Sequence, residues 1–382
     1  MTEPADRGTL LFRWSAAGAL ALHAVLLQGG GDIQGGADLR PHLRLIQLMS
    51  EEPALRSVYA PAYHALGAIL APWTGLGAYV KLFAFAAAAA LIAGFRSFQR
   101  AARLPDLATA LFAWSPYAFA LTWCAPKVEA AGYALAFAAL GLLLRRRYAA
   151  LAVALTGTFL VHTAAALFLG LTGGVLALAR RDFRGLLALA AGSAGAGPLF
   201  AAHVAAGCSL AQAFLFSPGD YLRPASAFTG LAMWDRVVVL ASPIAVGAAA
   251  LGAPALWRRD RRLAVLCIVV VTLYLNELWL APLGAGTTLN LLRGLTILAF
   301  STALCGGVAL SDRPRLAPWV LAACALWSAV AVFWVVPRSC YVRSFTVAEV
   351  SHTAVDRCTF RWRNLGPAAE GIVSPRGAAP DG

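Results

Sequence analysis

Long apolar runs separated by short arginine-rich breaks set the pattern of this chain. A bilayer crossing takes about 20 apolar residues, and fewer where helices break inside protein. By that measure the runs at 10–29, 78–95, 105–123, 128–144, 148–158, 161–179, 185–205, 236–257, 263–283, 290–310 and 316–336 predict an all-α polytopic membrane protein with roughly eleven spanning helices. A long outer loop, 30–77, follows the first of them. The bundle is expected over 1–337 and an extracytoplasmic tail over 338–382, its Gly-, Pro- and Ala-rich end disordered. The stretch Leu10–Gln28 reads either as a signal peptide or as a retained first helix. Its length and the lack of a clear small-x-small site before Gly29 favour the helix. No internal repeat is visible.

Within the loop, Arg40, Arg44, Gln47 and Glu51 fall on one stripe at helical spacing, and Leu39, Leu43, Ile46 and Met49 on another. Such a helix lies flat on a membrane surface. The apolar segment from Tyr59 to Trp73 holds Pro61 and Pro72 and is only about 15 residues long, so it reads as an interfacial or re-entrant helix. A short pair of helices meets around Gly157 to His162, like a broken hairpin.

Composition agrees with lipid as the main solvent: 60% of residues are hydrophobic and 13% charged, against about 25% charged in soluble domains. The net charge of +13 does not indicate nucleic acid. Its arginines cluster at Arg96/Arg100/Arg103, Arg145–Arg147, Arg180/Arg181/Arg184, Arg258–Arg262 and Arg313/Arg315, each after an even-numbered run. With Arg7 and Arg13 before the first run, all of them fall on the cytoplasmic side if the N-terminus is inside and the C-terminus outside. Seven cysteines show no metal spacing. Cys267, Cys305 and Cys324 read as packing residues, and Cys340 and Cys358 as a pair able to bond in an outer tail.

Candidate chemistry gathers on the outer side. Asp32, Asp38, Arg40, Tyr59, Tyr63 and His64 lie in the loop; Lys127, Glu129, His162, Glu277 and Arg293 lie near the outer ends of runs. Ionisable groups at membrane depth face a cavity or a partner. Each also has a structural reading: Asp38 as a helix-start acid, Lys127 and Glu129 as interfacial charges, His162 as a hydrogen-bonded core histidine, Glu277 and Arg293 as an ion pair.

Several of these residues carry a resemblance. Gly36-Ala37-Asp38, then Tyr59-Ala60-Pro61-Ala62-Tyr63-His64, Arg96 to Arg103, Ser115-Pro116, Pro126-Lys127-Val128-Glu129, Val161-His162-Thr163 and a late outer Arg293 occur in the order seen in C-type membrane glycosyltransferases, which use polyprenyl-phosphate-linked sugars. Phe159 to Thr163 also resembles exopolysaccharide polymerisation proteins. The similarity covers roughly residues 10–180 in order and the rest loosely. It departs in lacking an acidic neighbour beside Asp38 and in placing His162 where lysine is common in lipid-linked aminosugar transferases.

The resemblance implies sugar transfer from a polyprenyl phosphate to an acceptor on the outer face of a bacterial cytoplasmic membrane, with the donor class open. Asp38, or else Asp32, would be the base. Arg293, Lys127 and Arg40 would face the departing phosphate, with Glu129, His162, Glu277, Tyr59, Tyr63 and His64 binding substrate. No cofactor is implied with force; a divalent metal stays open. The rival readings are a lipid or polysaccharide transporter, flippase or polymerase, which the acidic loop and missing repeats disfavour, and a scaffold without chemistry.

Overall fold

The computed structural model describes residues 4–28, 33–35, 39–52, 61–123, 128–208, 234–274, 295–335, 343–355 and 362–364. In chain order the elements are α1 (Pro4–Gln28), β1 (Ile33–Gly35), α2 (Leu39–Glu51), α3 (Pro61–Thr74), α4 (Leu76–Ala101), α5 (Asp106–Ala113), α6 (Pro116–Trp123), α7 (Val128–Leu144), α8 (Tyr148–Val161), α9 (Thr163–Ala179), α10 (Phe183–Gly195) and α11 (Gly197–Ala205). After these come α12 (Trp234–Ala241), α13 (Pro243–Arg259), α14 (Arg261–Tyr274), α15 (Leu295–Asp312), α16 (Ala317–Val330), a π turn (Ala331–Val335), β2 (Arg343–Phe345), α17 (Val347–Ser351), β3 (Thr353–Val355) and β4 (Trp362–Asn364).

The expectation of roughly eleven spanning helices is overturned. Among the described residues, three helical stretches are long and apolar enough to cross a membrane: Arg7–Leu27, Leu76–Ala101 and Phe183–Ala205. These mark the chain as a membrane-associated protein. The other apolar helices are shorter, such as Val128–Leu144, Tyr148–Val161 and Thr163–Ala179. Hydropathy counts apolar residues, whereas a crossing needs an unbroken helix rising about 1.5 Å per residue. The run at 105–123 breaks at Ser115–Pro116 into two helices of 8 residues. The run at 236–257 breaks at Ser242, whose φ of 58° and side-chain cap on Ala245 end α12 and start α13.

The helices pack around an aromatic centre. Phe95 of α4 stacks on Phe112 of α5 at 4.2 Å, and Phe137 of α7 stacks on Phe300 of α15 at 5.3 Å, with Phe98 and Phe168 against the same rings. Close approach needs small residues: a Cβ at Gly94 would collide with the Ala134 backbone, so α4 and α7 touch main chain to main chain there.

Arginine-rich turns meet at one end of the bundle. Arg180 pairs with Asp260 at 3.3 Å, Arg259 donates to the Arg103 carbonyl, and Arg145 to the Ser97 carbonyl. Arg96 pairs with Asp106 at 3.5 Å and covers the Phe12 ring, while Thr9 donates to the same carboxylate, so α1, α4 and α5 are tied at that end. Three of these turns share one geometry. Arg103, Arg146 and Arg181 have φ of 56°, 58° and 54°, each followed by a residue whose N–H bonds a carbonyl five residues back. This is the Schellman ending, normally a glycine position. An arginine there accepts a backbone cost, and a cation next to the last turn favours the negative end of the helix.

The opposite end is a cap built from the first loop and the tail. β1 pairs antiparallel with β2, Ile33 opposite Phe345 and Gly35 opposite Arg343. β3 pairs with β4. The amphipathic helix expected over 39–51 is α2, with those bounds. Its first half is buried on both faces, because α17 and β3 of the tail cover the stripe that carries Arg40. α3 covers most of the segment 59–73 expected not to cross and ends one residue beyond it, at Thr74; it turns Tyr63 and His64 inward and leaves Leu66, Ile69, Leu70 and Trp73 exposed.

Candidate functional site

The cap brings together residues from five stretches of sequence. Leu39, Leu43 and Ile46 of α2 pack on Tyr63 of α3, on Leu76, Tyr79 and Val80 of α4, on Val128 of α7 and on Val350 of α17. This apolar patch is separate from the main core. It seats α2 on α3 with two imidazoles between them: His42 Nδ1 and His64 Nε2 are 2.7 Å apart, both rings fully buried. One nitrogen of that bond carries a proton and the other accepts it, so at least the accepting ring is neutral along this edge.

Burial holds the His42 pKa well below that of a free imidazole, and nearby His64 and then His162 push it the same way. α3 packs against α8, which places the hairpin break close to the first loop. At that break His162 is the N-cap of α9, its Nδ1 accepting from the Ala165 N–H at 3.2 Å. The turn fits against α7 because position 132 is glycine; a Cβ there would lie 2.5 Å from the His162 Cβ. Tyr133 of α7 faces the His162 ring at 6.4 Å, and Glu129 sits half-buried in the first turn of the same helix.

Tyr63 is 1% exposed, in edge contact with Phe83 at 4.7 Å and flanked by His42, His64 and Tyr79. The Tyr79 hydroxyl donates to the Tyr63 carbonyl at 2.8 Å. The Tyr63 hydroxyl itself meets no hydrogen-bond partner among the described residues. Burial, and then Tyr79, raise its pKa well above the usual phenol value, so it stays a neutral donor.

No protein-family model matches the chain, and no curated protein is similar to it.

Arg40, expected to face a phosphate, is 8% exposed and turned to the tail. Its Nε donates to Thr353 Oγ1 at 2.7 Å and its Nη2 to the Glu349 carbonyl oxygen. Burial lowers its pKa, opposed by the Glu349 carboxylate. Glu349 closes a capping box with Thr346, whose backbone N–H is the main cause of its lowered pKa. Arg44, by contrast, bonds along its own helix, to Gln47 at 3.3 Å and to Glu51 at 3.9 Å.

Of the other candidates, Tyr63, His64, Glu129 and His162 lie in this cap or at its edge. Asp32, Asp38, Tyr59, Lys127, Glu277 and Arg293 lie outside the described residues, as do Cys340 and Cys358. Among the described residues no three or more His, Cys, Asp or Glu side chains are arranged around a metal position. His42, two residues after Arg40 in the same polar loop, is given no role by the sequence. Its signal was a histidine at α2's apolar edge, legible only once α3 supplied a second histidine opposite. Cys208, after α11, is disulfide-bonded, whereas Cys267, Cys305 and Cys324 are free and buried.

Proposed function

We propose that the chain is a membrane glycosyltransferase that moves a sugar from a polyprenyl-phosphate donor to an acceptor on the outer face of the membrane. One observation supports this most: the first loop and the hairpin break, about 100 residues apart in the candidate motif order, converge where α3, which carries His64 bonded to His42, packs against α8, which ends at His162. Polar chemistry from separate segments, gathered at one end of an apolar bundle, is what a transfer site requires.

In this reading Asp38, with Asp32 as the alternative, removes the acceptor proton, and Arg293 and Lys127 balance the charge on the departing phosphate. Arg40 is left to hold the tail. Glu129 and His162 orient the sugar-bearing substrates.

The reading also gives the protein a bacterial cytoplasmic membrane with the N-terminus inside and the C-terminus outside. Arginine turns collected at one end and a disulfide at Cys208, beyond the far end of the Phe183–Ala205 stretch, favour this orientation. Cysteines introduced at Arg315 and at Ser374 would be labelled from opposite sides; labelling of both from one side overturns it.

The decisive assay uses the purified chain in lipid nanodiscs with radiolabelled polyprenyl-phosphate hexoses and pentoses and an envelope acceptor extract. Wild type transfers label from at least one donor. Asp38→Asn stays folded and loses a factor of about 10² to 10⁴ in rate. Failure of wild type with every donor overturns the function; near-normal transfer by Asp38→Asn moves the base to Asp32.

A further inference from the structure

The cap hides its polar groups. Tyr63 and His64 are buried against α2, whose own His42 faces them, and movement of α2 would open all three to a ligand. Two features make that movement separable from the rest of the protein. The patch under α2 is a small satellite of the main core, so lifting α2 leaves the aromatic centre intact. Among the described residues, α2 is held from above by Arg40 to Thr353 and to the Glu349 carbonyl, Ser351 to Gln47 at 3.4 Å, and Val350 in the patch, contacts that are largely polar.

The Tyr63 hydroxyl is a second, independent observation. Buried hydroxyls without a partner are rare and costly. The Tyr63 hydroxyl, on a ring flanked by His42 of α2 and His64 of α3, has none among the described residues, which is explained if another state of the protein supplies an acceptor. The groups around it are a phenol and imidazoles, able to donate or accept, while the Arg40 guanidinium bonds Thr353 and the Glu349 carbonyl of the tail. Such a set suits the hydroxyls of a sugar and is poor for a phosphate, which needs cations.

We propose that α2 is a lid, latched by the tail through Arg40, over a sugar-binding subsite formed by Tyr63, His42 and His64. It deepens the transferase reading and rests on it for the route by which sugar arrives.

Two measurements on the full chain in nanodiscs test it without a transfer assay, so failure of catalysis and failure of the lid are separable. In hydrogen exchange, Arg40→Gln should speed exchange in 39–51 about tenfold and leave 76–101 unchanged. Unchanged exchange in α2, or an equal rise in both, overturns the latch. In binding, short-chain prenyl-phosphate hexoses and pentoses are compared with prenyl phosphate alone. Tyr63→Phe should weaken the best sugar-bearing probe about tenfold and leave prenyl phosphate unchanged, at a melting temperature no lower than wild type. No wild-type preference for any sugar-bearing probe, equal weakening of both probe classes, or no weakening overturns the subsite.

Discussion

Arg40 donates through Nε to Thr353 Oγ1 at 2.7 Å, a buried bond between residues 313 positions apart that ties the first loop to the tail. A guanidinium taken out of water needs its partners, because an unpaired buried charge is costly. Thr353→Val keeps the shape and removes the acceptor. It should destabilise the cap by about 1–3 kcal/mol, read as faster proteolysis of the tail in nanodiscs. Thr353→Ser should restore wild-type resistance. Resistance of the valine variant equal to wild type would show that Arg40 does not hold the tail.

Tyr63→Phe should raise stability. It removes a hydroxyl that has no partner among the described residues and keeps the ring contact with Phe83 at 4.7 Å. The gain is about 1 kcal/mol or more, measured as a higher melting temperature in detergent. A lower melting temperature would mean that the hydroxyl is satisfied.

The packing of α7 on the hairpin break gives a steric prediction. A Cβ at Gly132 would lie 2.5 Å from the His162 Cβ and 3.0 Å from the Ala165 Cβ, so Gly132→Ala must part the helices. The expected cost is about 1–3 kcal/mol. Gly174→Ala, in the middle of α9 with nothing within 4 Å, should instead be neutral or stabilising by up to about 1 kcal/mol. Thermal unfolding of the two variants side by side checks the contrast.

The cap should loosen in acid. His42 has a folded-state pKa well below the 6.5 of a free imidazole, so the folded form binds fewer protons than the unfolded one as pH falls. Its contribution to stability is therefore complete above pH 6.5 and lost progressively below it. Protection factors of the α2 amides, corrected for the slower intrinsic exchange in acid, should fall between pH 7.5 and 5.5, and His42→Gln should flatten that dependence. An equal dependence in the variant would assign the effect to another group.

Particular elements show where sequence reading works. α2 was legible because Leu39, Leu43 and Ile46 recur at helical spacing, a local property that tertiary contacts then used. The break at His162 was visible as a polar residue between apolar runs, and its role as a helix cap follows from chain geometry. The count of spanning helices was not legible. Ser115–Pro116 and Ser242 interrupt runs whose hydropathy alone reads as continuous. The position of Arg40 was misleading for a related reason: its stripe looks exposed until a segment 300 residues later covers it.

By itself the sequence determined the apolar character, the arginine-rich turns, the amphipathic first-loop helix and the set of polar residues available for chemistry. These depend on composition and on neighbours within a few turns. Only the tertiary structure decided that β1 pairs with β2, that His42 meets His64, and that the tail closes over α2. Those are contacts between distant segments, selected by the mutual burial of many side chains at once, and no local periodicity encodes which segment arrives.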